Sequence, residues 1–203
     1  LVLHEDFDRT DLDPRLKWLN PPSTWSVAAD ESVLVVKPSG NSDFWQRTHY
    51  GFQADSGSFL YVSVDFDFVM TTRVHLIPRH QYDQAGLMVR ISRDCWIKSS
   101  VEHETDKPSV LGAVITNGGY SDWSTQEFQG ATIDLKIIRA GADYLLYWRE
   151  PEQPWRQLRM CHLHEDDGRM PVLAGLYACC PKQAGLLAKF EHLRIDPAAQ
   201  SGN

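Results

Sequence analysis

Lys98 and Glu102 stand four residues apart in the run Trp96-Ile97-Lys98-Ser99-Ser100-Val101-Glu102, which alternates polar and apolar side chains. On an extended chain successive side chains point to opposite faces, so Trp96, Lys98, Ser100, Glu102 and Glu104 share one side and Ile97, Val101 and His103 the other. That spacing keeps Lys98 and Glu102 on one face but apart, which suits bracketing a ligand better than bonding each other. The competing structural use is cross-strand charge pairing, worth about 0.2 to 1 kcal/mol. The preceding run, Gln81-Tyr82-Asp83-Gln84-Ala85-Gly86-Leu87-Met88-Val89-Arg90, repeats the device, with Gln84, Met88 and Arg90 opposed to Ala85, Leu87, Val89 and Ile91. Two carboxylate pairs, Asp65-x-Asp67 and Glu102-x-Glu104, also fall on single faces. Facing carboxyls raise one another's pKa and so make a general acid, the chemistry of glycoside hydrolysis. They are equally what a solvated sheet face carries. Asp65, Asp67 and Glu102 are therefore the catalytic candidates, and Glu102 is the one with the better case for touching a ligand.

Aromatic residues accompany these charges. Trp45, Tyr82, Trp96 and Trp123 lie beside Asp43, Asp83, Lys98 and Asp122. A sugar stacks its C–H faces on an indole while its hydroxyls need donors and acceptors, so this mixture suits a carbohydrate or other polyol. Sandwich cores also consume aromatics, and two of the four are expected at the ligand face, with Trp45 and Trp96 the exposed pair. Trp18, Trp25, Trp148 and Trp155 read as packing or edge residues. Cys161, His162 and His164, followed by Glu165, Asp166 and Asp167, gather metal-ligand types, but no second Cys/His pair at zinc spacing completes a site, and an acidic turn is the better account. No metal and no cofactor are expected. His75, His80 and His103 are isolated, and there is no Ser/His/Asp elbow or phosphate loop. Asn117-Gly118-Gly119 sits between two strand-like runs and reads as a hairpin turn.

Strands must position all of these groups. A dozen segments rich in β-branched and aromatic residues are separated by turn chemistry such as Lys37-Pro38-Ser39-Gly40, Asp55-Ser56-Gly57 and Ala140-Gly141-Ala142-Asp143. Such a series predicts an all-β fold of two packed antiparallel sheets. The segment Phe59 to Met70 reads as one long strand with Val62, Val64, Phe66, Phe68 and Met70 on one face. Helix is confined to one turn around Asp13-Pro14-Arg15-Leu16. The triplet Ala-Gly-Leu, at Ala85, Ala174 and Ala184, supplies small residues where backbones approach closely.

The 203 residues, with no Gly/Ser- or Pro-rich linker, are read as one domain, 1–203. A net charge of -7 with scattered Lys and Arg argues against a nucleic-acid footprint, and no apolar run reaches membrane-spanning length. Cys95, Cys161, Cys179 and Cys180 show no disulfide framework and are read as free thiols. With no signal-like n- and h-regions, a cytoplasmic location is the expectation.

The opening His4-Glu5-Asp6-Phe7 with Trp18, and the closing Ala188-Lys189-Phe190-Glu191-His192-Leu193-Arg194-Ile195, resemble the first and last strands of concanavalin A-like lectin/glucanase sandwiches. Asp43-Phe44-Trp45, Tyr82-Asp83-Gln84-Ala85-Gly86-Leu87, Trp96-Ile97-Lys98, Val101-Glu102 and Ser121-Asp122-Trp123-Ser124 resemble an uncharacterised bacterial and fungal family that includes the yeast regulation-of-enolase protein. The resemblance implies a jelly-roll sandwich with one concave sheet and, for the fungal branch, a cytoplasmic regulator linked to carbohydrate metabolism. Glucanases of this fold carry a Glu-x-Asp-x-Glu series on one strand, which this chain lacks in full. The expected function is a non-catalytic, lectin-like binding domain with Asp43, Trp45, Tyr82, Gln84, Arg90, Trp96, Lys98, Glu102 and Asp122 at its ligand face. Two alternatives stay open: a glycoside hydrolase or lyase using Glu102 with Asp65 or Asp67, and an interaction module for a metabolic enzyme. Oligomeric state is not legible.

Overall fold

The structure is a computed structural model that describes residues 2–199. In chain order its strands are β1 (Leu3–Glu5), β2 (Lys17–Leu19), β3 (Thr24–Ala28), β4 (Val33–Lys37), β5 (Phe44–Gln46), β6 (Gln53–Asp55), β7 (Ser58–Val64), β8 (Phe68–Ile77) and β9 (Gln84–Ser92). There follow β10 (Cys95–Glu102), β11 (Val110–Asn117), β12 (Tyr120–Glu127), β13 (Thr132–Ala140), β14 (Asp143–Arg149), β15 (Arg156–His162), β16 (Val172–Cys179), β17 (Leu187–Phe190) and β18 (Leu193–Pro197). None of the described residues is helical.

Two antiparallel sheets stack as a jelly-roll sandwich of the concanavalin A-like type. One runs β15-β14-β13-β8-β17-β4-β3, with β18 also pairing β8 and carrying β1; the other runs β12-β11-β10-β9-β16-β7-β2. The expected alternation is what packs them. Ala85, Leu87 and Val89 of β9 and Ile97 and Val101 of β10 join Met70, Val74, Leu135, Ile137 and Phe190 of the facing sheet in one core. Gly86 and Gly175 sit where strands press together: a Cβ would lie 2.0 Å from the Ser99 carbonyl oxygen and 1.9 Å from that of Leu60, respectively. The small-residue reading of the Ala-Gly-Leu triplets therefore holds at those two positions.

Three expectations are corrected. The segment Phe59 to Met70 is two strands in different sheets, because Asp65-Phe66-Asp67 forms the turn between β7 and β8. Its alternation survives the break, since Val62, Val64, Phe68 and Met70 are all core residues and Phe66 packs against them. The turn around Asp13 does not continue into a helix; Leu16 N–H donates to Asp13 O at 2.9 Å and the Asp13 carboxylate accepts from Arg15 N–H instead. Short strands β2, β3, β5 and β6 were also absent from the sequence reading. The four cysteines are free, and Gly118 and Gly119, at φ of 55° and 74°, make the β11–β12 hairpin turn that left-handed backbone requires.

Candidate functional site

The outer face of the second sheet carries the polar series from both strands that opened the sequence reading. Cross-strand register sets Lys98 beside Met88 of β9 and Val114 of β11, and Val114 beside Trp123 of β12. Two rows further along the same face, Glu102 pairs with Gln84, and Gln84 with Cys179. Of these, Gln84, Lys98, Glu102 and Val114 form the floor of a cleft of about 460 Å³, whose walls include Asn41, Asp43, Trp45, Tyr50, Phe52, Tyr82, Trp123, Pro181 and Lys182. A volume of this size lies in the range of small-molecule sites.

The wall opposite the sheet is the hairpin of β5 and β6, which folds over the sheet face. Its inward side chains make a second, smaller apolar cluster with the sheet: Phe44 and Trp45 against Phe59, Met88, Trp96, Val114, Tyr177 and Cys179. Polar anchors hold it down. Arg90 donates two hydrogen bonds to the Asp55 carboxylate at 2.6 and 2.9 Å, and the Ser121 hydroxyl accepts from Gln46 N–H at 2.9 Å. The six-residue loop of this hairpin is tightly wound, with Arg47, His49 and Gly51 all at positive φ. It presents Tyr50 and Phe52, 56% and 47% exposed, beside Trp45 and the 36% exposed Trp123. Trp45 meets Tyr50 and Trp123 edge to face, at ring separations of 5.5 and 6.3 Å.

The floor is polar and buried. The Lys98 ammonium donates to Phe44 O at 2.8 Å and to the Asp43 carboxylate at 3.2 Å. Burial pulls its pKa down, but the carboxylate of Asp43 and the other acidic groups nearby outweigh that and hold it above the ordinary lysine value. Gln84 is fully committed: its amide donates to Glu102 at 2.8 Å and to Tyr82 O at 3.1 Å, and its oxygen accepts from Tyr177 O–H at 3.1 Å. Glu102 is not. One of its oxygens takes the Gln84 bond, while Oε1 is buried with no hydrogen-bond partner. Burial pushes the Glu102 pKa up to about 8; Lys98 opposes the rise, and Asp43 and Glu104 add to it. At neutral pH this side chain is a carboxylic acid that can both donate and accept. Cys179 and Tyr177 are buried beside Gln84, and burial raises both pKa values, so neither is an activated nucleophile.

Of the nine expected ligand-face residues, Asp43, Trp45, Tyr82, Gln84, Lys98 and Glu102 line the cleft. Trp96, Arg90 and Asp122 do not. Trp96 is on the right sheet face, yet it is fully buried beneath Phe44, and its indole N–H donates to Arg93 O at 3.0 Å. Trp45 is also largely covered, at 7% exposure, so Trp123 is the better exposed indole. Arg90 is spent on Asp55. Asp122 shares the face of its register partner Ile115, a core residue, and pairs with Arg159 at 2.6 Å, so its neighbour Trp123 is the one that faces the cleft. Asp65 and Asp67 lie in the β7–β8 turn, and the Asp67 carboxylate accepts from Gly141 N–H at 2.8 Å; neither borders the cleft. Glu104 accepts from the Gln81 amide and pairs with Lys107 at 3.6 Å. In the acidic turn after β15, Asp166 is bound by Arg139 and Tyr144.

Tyr50, Phe52, Asn41 and Lys182 are cleft residues that the sequence reading did not select. The available signal was the family-like string Asp43-Phe44-Trp45, whose continuation through Tyr50 and Phe52 keeps an aromatic every few residues.

Comparison with known proteins agrees with this architecture. Regulation of enolase protein 1 of Saccharomyces cerevisiae is 34% identical over 175 residues, covering 85% of each chain. The crystal structure of a functionally unknown protein from Saccharomyces cerevisiae superposes with a TM-score of 0.82 at 30% identity, over 91% of this chain and 97% of that one. Bacteroides ovatus xyloglucan PUL GH43B shares the fold, with a TM-score of 0.78 at 21% identity, over 96% of this chain and 39% of that larger protein. Residues 18–198 match the model of the family described as protein of unknown function (DUF1349), and with the extent of that match and the identity to the yeast relative, the chain belongs to this family.

Proposed function

We propose that the chain is a non-catalytic carbohydrate- or polyol-binding protein with a regulatory role in carbohydrate metabolism, acting in the cytoplasm. The observation that carries this reading is the composition of the cleft's two sides. An aromatic wall of Trp45, Tyr50, Phe52 and Trp123 faces a polar floor in which Glu102 keeps one buried oxygen without a partner. Aromatic planes accept the C–H face of a sugar ring, and a ligand hydroxyl that bonds Glu102 Oε1 would remove the cost of an unsatisfied buried acceptor, about 1 to 3 kcal/mol. The concave cleft also favours a small ligand over a flat protein partner. The regulatory part rests on the name of the yeast relative alone.

Calorimetric titration with a panel of mono- and disaccharides tests the reading, using the native chain beside Trp123→Ala and Glu102→Ala. Saturable binding to the native chain, weakened about ten-fold or more in both variants while their thermal transitions stay cooperative, is the expected result. No heat from any sugar with the native protein would sink it.

A second reading has its own observation. Asp43 and Glu102 border one cleft, and a carboxyl protonated to about pH 8 can serve as a general acid. A hydrolase would therefore use Glu102 with Asp43, in place of Asp65 or Asp67. Release of reducing ends from an oligosaccharide by the native chain, abolished in Glu102→Gln, would favour this reading over binding alone.

A further inference from the structure

Lys182 is a cleft residue with no carboxylate partner among the described residues. Its ammonium stands 5.6 Å from the centre of the Tyr82 ring. The two sides of this lip are built to hold that arrangement. Asn41 N–H donates to Lys182 O at 3.0 Å and Ser42 N–H to Cys180 O at 3.1 Å, which seats the Pro181-Lys182 segment beside Asn41. Tyr82 is held at φ of 70°, a left-handed conformation unusual for a bulky residue, by donating its N–H to His103 O at 2.7 Å. Asn41 adopts a positive φ of 56° as well. Strained backbone of this kind collects where a site must be shaped.

The charges around the cleft do not cancel. Four residues with charged side-chain types border it: Asp43, Lys98, Glu102 and Lys182. Asp43 and Lys98 neutralise each other through their 3.2 Å pair. With Glu102 in its acid form, Lys182 is the remaining charge, so a chain of net charge -7 offers one positive group at the mouth of its cleft. We propose that the ligand of this cleft is a sugar bearing an anionic group, a carboxylate or a phosphate, and that Lys182 reads that group. The proposal rests on the carbohydrate reading above and narrows it to a ligand class. The aromatic wall would take the ring, Glu102 and Asn41 its hydroxyls, and the ammonium over Tyr82 the anion.

The site should also lose its preference in alkali. Glu102 holds its proton to about pH 8, and above that it adds a negative charge to the cleft. The other titratable groups facing it are Asp43 on the hairpin side, Lys98 on its own strand, Glu104 just beyond it, and Tyr177 and Cys179 on β16. The last two stay protonated through this range, since burial raises both, so Glu102 is the group whose ionisation cancels the positive charge of Lys182.

Calorimetric titration of the full chain at low ionic strength with matched sugars, glucose, glucuronate and glucose 6-phosphate, and galactose with galacturonate, tests this against Lys182→Gln. The expected result is binding of a charged sugar about five-fold tighter than its neutral parent, the size of one exposed ion pair. That gap should close in Lys182→Gln, and shrink in the native chain on going from pH 6.5 to pH 9. Preference for uronates alone or for the phosphate alone assigns the anion to that source. Equal affinity for charged and neutral sugars overturns the proposal while leaving the carbohydrate reading intact. Binding of none of them brings down both.

Discussion

At the residue scale, Glu102 and Lys98 were legible as a polar pair on one strand face, but their burial was not. Alternation gives the face a side chain points to; it says nothing of a hairpin that later covers that face. Burial is what turns an ordinary glutamate into an acid with a pKa of about 8. The unfolded chain releases this proton near the ordinary value of 4.5, whereas the folded chain keeps it to about 8, so between these values the folded state binds more protons and stability falls as pH rises. Glu102→Gln removes that liability. The variant is expected to match the native chain near pH 4 and to exceed it by on the order of 2 to 3 kcal/mol near pH 7, since one pKa unit is worth about 1.4 kcal/mol and the site is partly wet. Urea unfolding across this range measures it, and parallel pH profiles for the two chains would mean that Glu102 is already ionised in the folded protein. Lys98 carries the opposite liability. Lys98→Ala leaves Asp43 and the Phe44 carbonyl without their buried donor and should cost roughly 3 kcal/mol, readable as a lower urea midpoint with unchanged slope.

At the scale of elements, the β5–β6 hairpin makes the site and is the part the sequence concealed. Each strand has three residues, too few for alternation to register, and of the left-handed residues in the loop only Gly51 announces itself. By contrast, β9 and β10 have nine and eight residues of clear alternation, and their faces were read correctly from Gln84 to Glu102. The same periodicity misassigned Trp96, because facing a sheet's outer side was equated with facing solvent. The hairpin rests on one apolar cluster and several polar anchors, of which the Arg90–Asp55 clasp can be cut alone. Asp55→Ala strands the Arg90 guanidinium, 5.8 Å from the centre of the Phe44 ring, with no carboxylate. Hydrogen exchange should then accelerate at the amides of residues 44–55 by a factor of ten or more, while the β9 and β10 amides, bonded across the sheet, keep their protection. Uniform acceleration through both sheets would show that the hairpin is part of the global folding unit and not a separately anchored cover.

At the scale of the whole molecule, strand count and alternation were enough for the sandwich, because each sheet needs only one apolar face to find the other. How the ends of the sandwich are closed was not legible, since that depends on partners distant in sequence. Arg139 of β13 is the case in point. Fully buried, its guanidinium donates to the Asp166 carboxylate at 2.6 and 3.0 Å and to the carbonyl oxygens of Gly141, Met170 and Phe66, while Tyr144 donates its hydroxyl to the same carboxylate. One side chain thus ties the β7–β8 turn, the β13–β14 turn and the loop after β15. Asp166, one of the residues grouped by metal-ligand type in the sequence, serves closure. β7 runs from Ser58, beside Ala178 and next to the Gln84–Glu102 row, to Val64, beside Val172 next to this knot, and the Lys98 row crosses it midway, at Tyr61, so the knot lies beyond one end of the strand and the cleft residues along the rest of it. Their losses should accordingly separate. Arg139→Ala leaves Asp166 buried and uncompensated and should cost about 3 to 5 kcal/mol in urea unfolding, yet the folded fraction should bind cleft ligand with native affinity. Lys98→Ala should lose both. A fall in affinity for Arg139→Ala as large as that for Lys98→Ala would mean that the cleft and the knot behave as one cooperative unit, and that the sandwich transmits strain along β7 from one end to the other.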